Sequence, residues 1–267
     1  MTTKNIRTTE EHPFAEFVRI LGKGKKGSRS LTESEAFTAM SMILEDKVED
    51  LQLGAFLMLL RVKEESPEEL SGFVKAAKSK INAPENINAD LDWSSYAGKR
   101  RHPAWYIFSA LCLAENGLTV FMHGASGHTV DRMYTEDVLI ELGIEIARDW
   151  ASAESQLADN RFCYMPLSIL SPRMDQMINM RPILGLRSPV HSLSRLINPL
   201  NATTVLQGIF HPAYSTMHQE AGQLLGYKNM AVIKGEGGEI ERNPDNALEV
   251  LYSGNEGLSQ ETWPKMF

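Results

Sequence analysis

Cysteine is nearly absent: Cys112 and Cys163 are the only two in 267 residues. So sparse a supply excludes a disulfide-stapled secreted scaffold, and the pair reads as buried thiols in a reducing compartment. Long hydrophobic runs are absent too. The best stretch, Ala55 to Leu60, falls far short of the roughly 20 apolar residues that span a bilayer. The opening MTTKNIRTTEEHP has no apolar core, so no signal peptide is expected, and the expected setting is the cytoplasm with no membrane partner. Also missing are a catalytic zinc spacing, a GxSxG elbow, a dinucleotide-binding GxGxxG and a Walker-type phosphate loop, which leaves the common hydrolase and nucleotide-enzyme signatures without support. Net charge is −7, which by itself argues against a nucleic-acid binder.

What is present is an ordinary globular composition, 43% hydrophobic and 23% charged, with charge unevenly placed. Acids crowd Glu33 to Asp50 and Glu64 to Glu69. Trp93 to Ala114 carries Lys99, Arg100 and Arg101 with no acid, and Arg161 to Gln219 carries five arginines against the single Asp175. A local positive field can therefore sit on a negative protein.

The pattern changes partway along the chain. Pro13 to Leu21, a capped helix opening at Thr32 with Glu35 three residues on, an apolar face of Leu51, Phe56, Leu57 and Leu60, and the Ser66-Pro67-Glu68-Glu69 start of a helix to about Lys80 predict a small helical domain over residues 12–82. Ile81 to Trp93 has no period and reads as a linker. Residues 93–267 then alternate. Helices are predicted at Pro103–Asn116, Thr135–Leu142, Arg173–Ile183, Val190–Ile197 and Tyr214–Leu225. Strands are predicted at Leu118–Met122, Phe162–Met165, Thr204–Phe210 and Met230–Lys234. The fold class is α/β: a small all-helical N-terminal domain and a larger domain with a mostly parallel sheet flanked by helices.

Several segments could carry chemistry. Leu21 to Arg29 (LGKGKKGSR) sets Lys23, Lys25, Lys26 and Arg29 among three glycines, a composition suited either to phosphate or to a solvated turn. Lys99, Arg100 and Arg101 precede a helix whose N-terminus already favours anions, so a bound phosphate would satisfy dipole and cations together. His123 ends a buried strand, where open α/β sheets bind ligands. Arg181, Arg187 and Arg195 lie in an acid-poor stretch that suits planar anion recognition, or helix-end capping. Glu236, Glu239 and Glu241 could offer oxygens to magnesium or form a mobile turn. Tyr96, Trp105 and Tyr106 could stack on bases, although Trp105 and Tyr106 are expected in a helix core.

Taken in order, these segments resemble the anthranilate phosphoribosyltransferase (TrpD) family. The likeness runs from about Phe14 to the end, through Leu53-Gly54-Ala55, Leu60-Arg61-Val62-Lys63-Glu64, Met122-His123-Gly124, Glu141-Leu142-Gly143 and, most specifically, Arg181 with Leu184-Gly185-Leu186-Arg187 and Asn198-Pro199. The resemblance implies a class IV phosphoribosyltransferase fold and a homodimer through the helical domain, and it implies that family members continue past Phe267, leaving the second domain incomplete at its C-terminus. It also exposes departures. Where the enzymes carry a GTGGD loop for phosphoribosyl pyrophosphate, this chain reads Tyr96-Ala97-Gly98-Lys99-Arg100-Arg101. The family's KHGN is Met122-His123-Gly124-Ala125, and Ile240 replaces one acid of the metal pair, leaving Glu241. These changes resemble a YbiB-type branch associated with sequence-independent nucleic-acid binding. The resemblance thus implies a paralogue without transfer activity that binds single- or double-stranded nucleic acid through Lys23, Lys25, Lys26, Arg29, Lys99, Arg100, Arg101, Arg187 and Arg195, with no cofactor. The alternative is a phosphoribosyltransferase using His123, Arg181, Glu241 and magnesium.

Overall fold

A computed structural model describes residues 10–267; the segment read for a leader lies mostly outside them. Four helices come first: α1 (Ala15–Gly22), α2 (Glu33–Leu44), α3 (Asp50–Lys63) and α4 (Pro67–Lys80). Helices α2 and α4 open with capping boxes at Thr32 and Ser66, as the spacing predicts. Glu69, fully buried, ties this domain together. It accepts from the Leu31 and Ser66 amides at 2.8 Å and from Lys63 Nζ at 2.7 Å. A buried carboxylate is tolerated when hydrogen bonds and a cation replace its water.

The second domain runs β1 (Leu91–Ser95), α5 (Trp105–Glu115), β2 (Val120–Gly124), α6 (Thr135–Glu141), α7 (Trp150–Asn160) and β3 (Phe162–Pro166). It continues with α8 (Leu167–Leu170), α9 (Pro172–Ile178), α10 (Arg181–Leu184), α11 (Val190–Leu193), β4 (Thr204–Ile209), α12 (Ala213–Leu224), β5 (Asn229–Lys234), β6 (Leu248–Gly254) and β7 (Gly257–Trp263). The sheet order is β3-β2-β1-β4-β5-β6-β7. The first five strands in that order pair in parallel, and β5-β6-β7 pair antiparallel. The α/β architecture read from the sequence holds. Strands β1, β2 and β3 are buried on both faces, as crossover helices require, whereas β5 buries only alternate residues. Phe121, Cys163, Met165 and Val205 join one apolar cluster with the helical domain, while Val120, Met122, Tyr164 and Leu206 meet α5 and α6 on the other face. That alternation is the two-residue period of a strand.

Several details differ from expectation. Strand β1 begins at Leu91, inside the segment read as a linker, because Asp90 and its neighbours pair with Thr119 and Thr204. Helix α7 and the β6-β7 hairpin lacked a clear periodic signal. The helix expected over Arg173–Ile183 breaks between α9 and α10, since Pro182 cannot continue the amide ladder. Cys112 is exposed, not buried. Cys163 is buried, which pushes its thiol up to about 12 and leaves it inert. Among the described residues, no helix is long and apolar enough to cross a membrane.

Candidate anion site

The loop after β1 holds the first surprise. At Gly98 the backbone turns left-handed (φ 66°), with the Met133 carbonyl and Tyr134 ring close by, a conformation costly for residues with a Cβ. The amides of Ala97 and Gly98 converge, and both donate at 2.6 Å to one oxygen, Glu239 Oε1. Ser95 Oγ donates to Glu239 Oε2 at 2.9 Å. Successive amides converging like this form an anion nest, and here the anion is the chain's own carboxylate. Burial raises the Glu239 pKa, while Arg195 and the loop amides oppose that rise. The turn reaches the nest because Gly235 leaves room for the Glu239 backbone: a Cβ there would lie 1.4 Å from the Glu239 carbonyl oxygen.

The helix that follows is treated the same way. Glu241 Oε2 accepts from the Tyr106 amide in the first turn of α5 at 3.2 Å, and Glu241 Oε1 accepts from Lys99 Nζ at 2.5 Å. The phosphate expected at this helix start is replaced by Glu241, which satisfies an orphan amide and the dipole. Lys99 is only 2% exposed and committed to that ion pair, so it is withdrawn from the solvent-facing cations. The oxygens of Glu239 and Glu241 do not fit a magnesium ion either. Those of Glu239 serve three donors and those of Glu241 serve two.

The other candidates divide sharply. His123 does not face a site. It is sealed between Tyr96, whose hydroxyl lies 2.6 Å from Nδ1, and Asp92 Oδ1, 3.4 Å from Nε2. Tyr96 and Tyr106 are buried and cannot stack on a ligand, whereas Trp105 is 58% exposed, contrary to its expected core position. Helix α5 buries the face carrying Tyr106, Ile107 and Ala110, which turns Trp105 outward. Arg195 is also withdrawn. It is 9% exposed and its Nη1 donates to the carbonyls of Gly208 at 2.7 Å and Gly238 at 3.1 Å, pinning the turn that carries Glu239. Arg29 makes a two-pronged pair with Glu35 (2.6 and 2.7 Å) and holds that carboxyl down at about 2. Lys23, Lys25 and Lys26 are exposed on the turn after α1 and do not line the cleft described next.

Five arginines do converge. Arg61 from α3, Arg100 from the loop after β1, Arg132 from the loop after β2, Arg181 from α10 and Arg187 just beyond it line one cleft of about 780 Å³. Among the described residues, no acidic side chain lines it. Arg181 Nη1 and Arg187 Nη2 both donate to Thr129 Oγ1, at 3.1 and 3.0 Å. Arg132 Nη1 donates to the carbonyls of Ala97 and Gly98, at 2.8 and 2.9 Å, so the cleft wall and the nest are one structure. Burial, then repulsion from Arg132 and Arg181, pushes the Arg187 guanidinium below its ordinary value. Burial, reinforced by Arg187, pushes the wall residue His128 down to about 4, leaving it neutral at pH 7. His128 therefore adds no charge to the five arginines at pH 7. The cleft lies at the C-terminal ends of the parallel strands, where α/β sheets bind ligands. Arg100, Arg181 and Arg187 were legible in the sequence. Arg61 and Arg132 were not, since each stands in an unremarkable local context. Arg101 joins Arg100 and Arg132 in an adjoining hollow of about 500 Å³.

Comparison with known proteins places this geometry. Residues 16–80 match the helical bundle domain of the glycosyl transferase family, and residues 107–259 match that family's α/β domain. The chain is a TrpD-like member of this family. Its relatives include YbiB of Escherichia coli, a protein of uncharacterised function, at 26% identity over 92% of this chain and 78% of the relative. They also include the anthranilate phosphoribosyltransferase of Novosphingobium aromaticivorans, at 30% identity over 87% of this chain and 71% of the enzyme. The crystal structure of TrpD from Thermus thermophilus superposes with a TM-score of 0.78 at 21% identity, covering 94% of this chain and 73% of that one.

The nest can be tested directly. Glu239→Ala leaves two amides and a hydroxyl without their acceptor, and destabilisation of roughly 1–3 kcal/mol is expected. Added sulfate should restore part of the lost melting temperature in the variant and leave the parent unmoved. An unchanged variant would show that the nest contributes nothing.

Proposed function

We propose that this TrpD-like protein has lost phosphoribosyl transfer and binds nucleic acid without sequence preference, holding the phosphate backbone in the arginine cleft. One observation carries the reading: five arginines line a cleft free of acids in a chain of net charge −7, while the diphosphate position implied by the TrpD resemblance holds Glu239. Arginine forks suit phosphate oxygens, and a cleft of one sign concentrates the field. The exposed Arg101, Lys23, Lys25 and Lys26 would extend the contact as peripheral charges. Cytoplasmic residence belongs to the same reading. The alternative of a working transferase is favoured only by Arg181, which keeps its place in the cleft.

A homodimer through the helical domain is part of this proposal. Leu51 and Val62 are 84% and 82% exposed. Ala55 is exposed between them and Met58 is half-buried against the core, and the four form a stripe on α3 at the spacing of one helical face. Leu51→Glu with Val62→Glu should give a monomer in sedimentation velocity if that stripe is the contact; a dimer that survives both changes would place the contact elsewhere.

The binding test is a fluorescence anisotropy titration of labelled single-stranded DNA at two salt concentrations. Affinity should fall with salt at a log–log slope of about −0.7 per phosphate contact. Arg181→Ala with Arg187→Ala should weaken binding at least tenfold and reduce the slope by more than one contact, whereas Lys99→Ala should not change the slope. No binding at low salt would refute the proposal.

A further inference from the structure

Beside the arginine cleft is a smaller cavity of about 140 Å³ that shares with it the wall of Arg61, Arg187, Phe210 and His211. Its lining includes Ser188 and His191. Both are over nine-tenths buried, and Ser188 Oγ and His191 Nε2 have no hydrogen-bond partner. Buried polar atoms in folded proteins are nearly always paired, so two orphans in one small cavity point to a missing partner. His191 Nδ1 lies 3.1 Å from the Ser188 carbonyl oxygen, which can only accept, so Nδ1 carries the proton. Burial holds the ring well below its ordinary pKa. The ring is therefore neutral, and Nε2 is a free acceptor. The Ser188 hydroxyl can donate or accept.

The mouth is aromatic. Phe210 stands at the end of β4 with 54% of its surface exposed, and the His211 ring meets it edge-on at 4.8 Å. An exposed phenylalanine on the shared wall between an arginine cleft and a cavity holding an acceptor and a hydroxyl is a stacking surface beside a hydrogen-bonding slot. A cavity of roughly 150 Å³ takes a benzene-sized ring, so this one fits a single six-membered ring. We infer that the small cavity receives one unstacked pyrimidine base of a single strand, which stacks on Phe210 and presents its polar edge to Ser188 and His191 while Arg187 and Arg61 hold adjoining phosphates. The inference rests on the nucleic-acid reading and narrows it to single strands, because a paired base is not free to enter.

The test separates the two claims by using a ligand with the same charge and no bases. Anisotropy titrations compare oligo(dT) with an abasic deoxyribose-phosphate oligomer of equal length, using the full chain and the variants Phe210→Ala and Ser188→Ala. Phe210 is exposed and the serine change removes one oxygen, so both variants should fold, which circular dichroism checks. Oligo(dT) should bind the parent roughly tenfold more tightly than the abasic oligomer, the scale of one aromatic–base contact. Each variant should lose most of that advantage without changing affinity for the abasic oligomer. Equal affinity for the two oligomers would overturn the base slot and leave the backbone reading standing. A base preference that both variants keep would overturn its location. Failure to bind either oligomer would overturn both claims.

Discussion

The interaction on which the site depends is the clasp of Glu239 by the amides of Ala97 and Gly98. A carboxylate out of water needs donors in compensation, and this one finds them in the loop that ends β1. The clasp has consequences on both sides. The turn after β5 must come within reach of the β1 loop, so Arg195 pins it through the Gly208 and Gly238 carbonyls and Arg132 ties the loop carbonyls of Ala97 and Gly98 to that of Gly237. Lys99 is drawn inward to Glu241, which closes the start of α5.

The same residues sort the protein's cations. Lys99 and Arg195 are used up in holding the turn. Arg61, Arg100, Arg132, Arg181 and Arg187 remain around a cleft whose lining, among the described residues, holds no acidic side chain. An internal anion thus occupies the nest, and the uncompensated positive field lies beside it. A fold shared with anthranilate phosphoribosyltransferases says little about chemistry by itself, so the proposed function rests on the side chains at the strand ends. The TrpD-like framework is retained, and its most anion-hungry backbone is satisfied from within.

The sequence made the framework legible and left the site partly hidden, for identifiable reasons. Capping boxes at Thr32 and Ser66 are local signals, so the helical domain could be read closely. Strand β1 was half-lost in a linker because its five residues carry Asp92 and Ser95, polar groups that are buried against partners distant in sequence. The cations of Lys99–Arg101 looked alike in the chain, yet Lys99 is interior and Arg100 lines the cleft. Only the pairing of Lys99 with Met133 and Glu241 separates them. Glu239 read as one acid of a mobile turn, because its donors lie more than 140 residues away. Arg61 sits on a helix whose sequence gives no sign that it faces the cleft.

The central point is whether the nest is closed to its implied ligand. Isothermal titration calorimetry of phosphoribosyl pyrophosphate with magnesium into the parent protein measures this directly. Glu239 in place should leave the titration without magnesium-dependent binding heat. Saturable binding that requires magnesium and disappears with Arg181→Ala would contradict the account, because it would mean that Glu239 leaves the nest and that the diphosphate site still works.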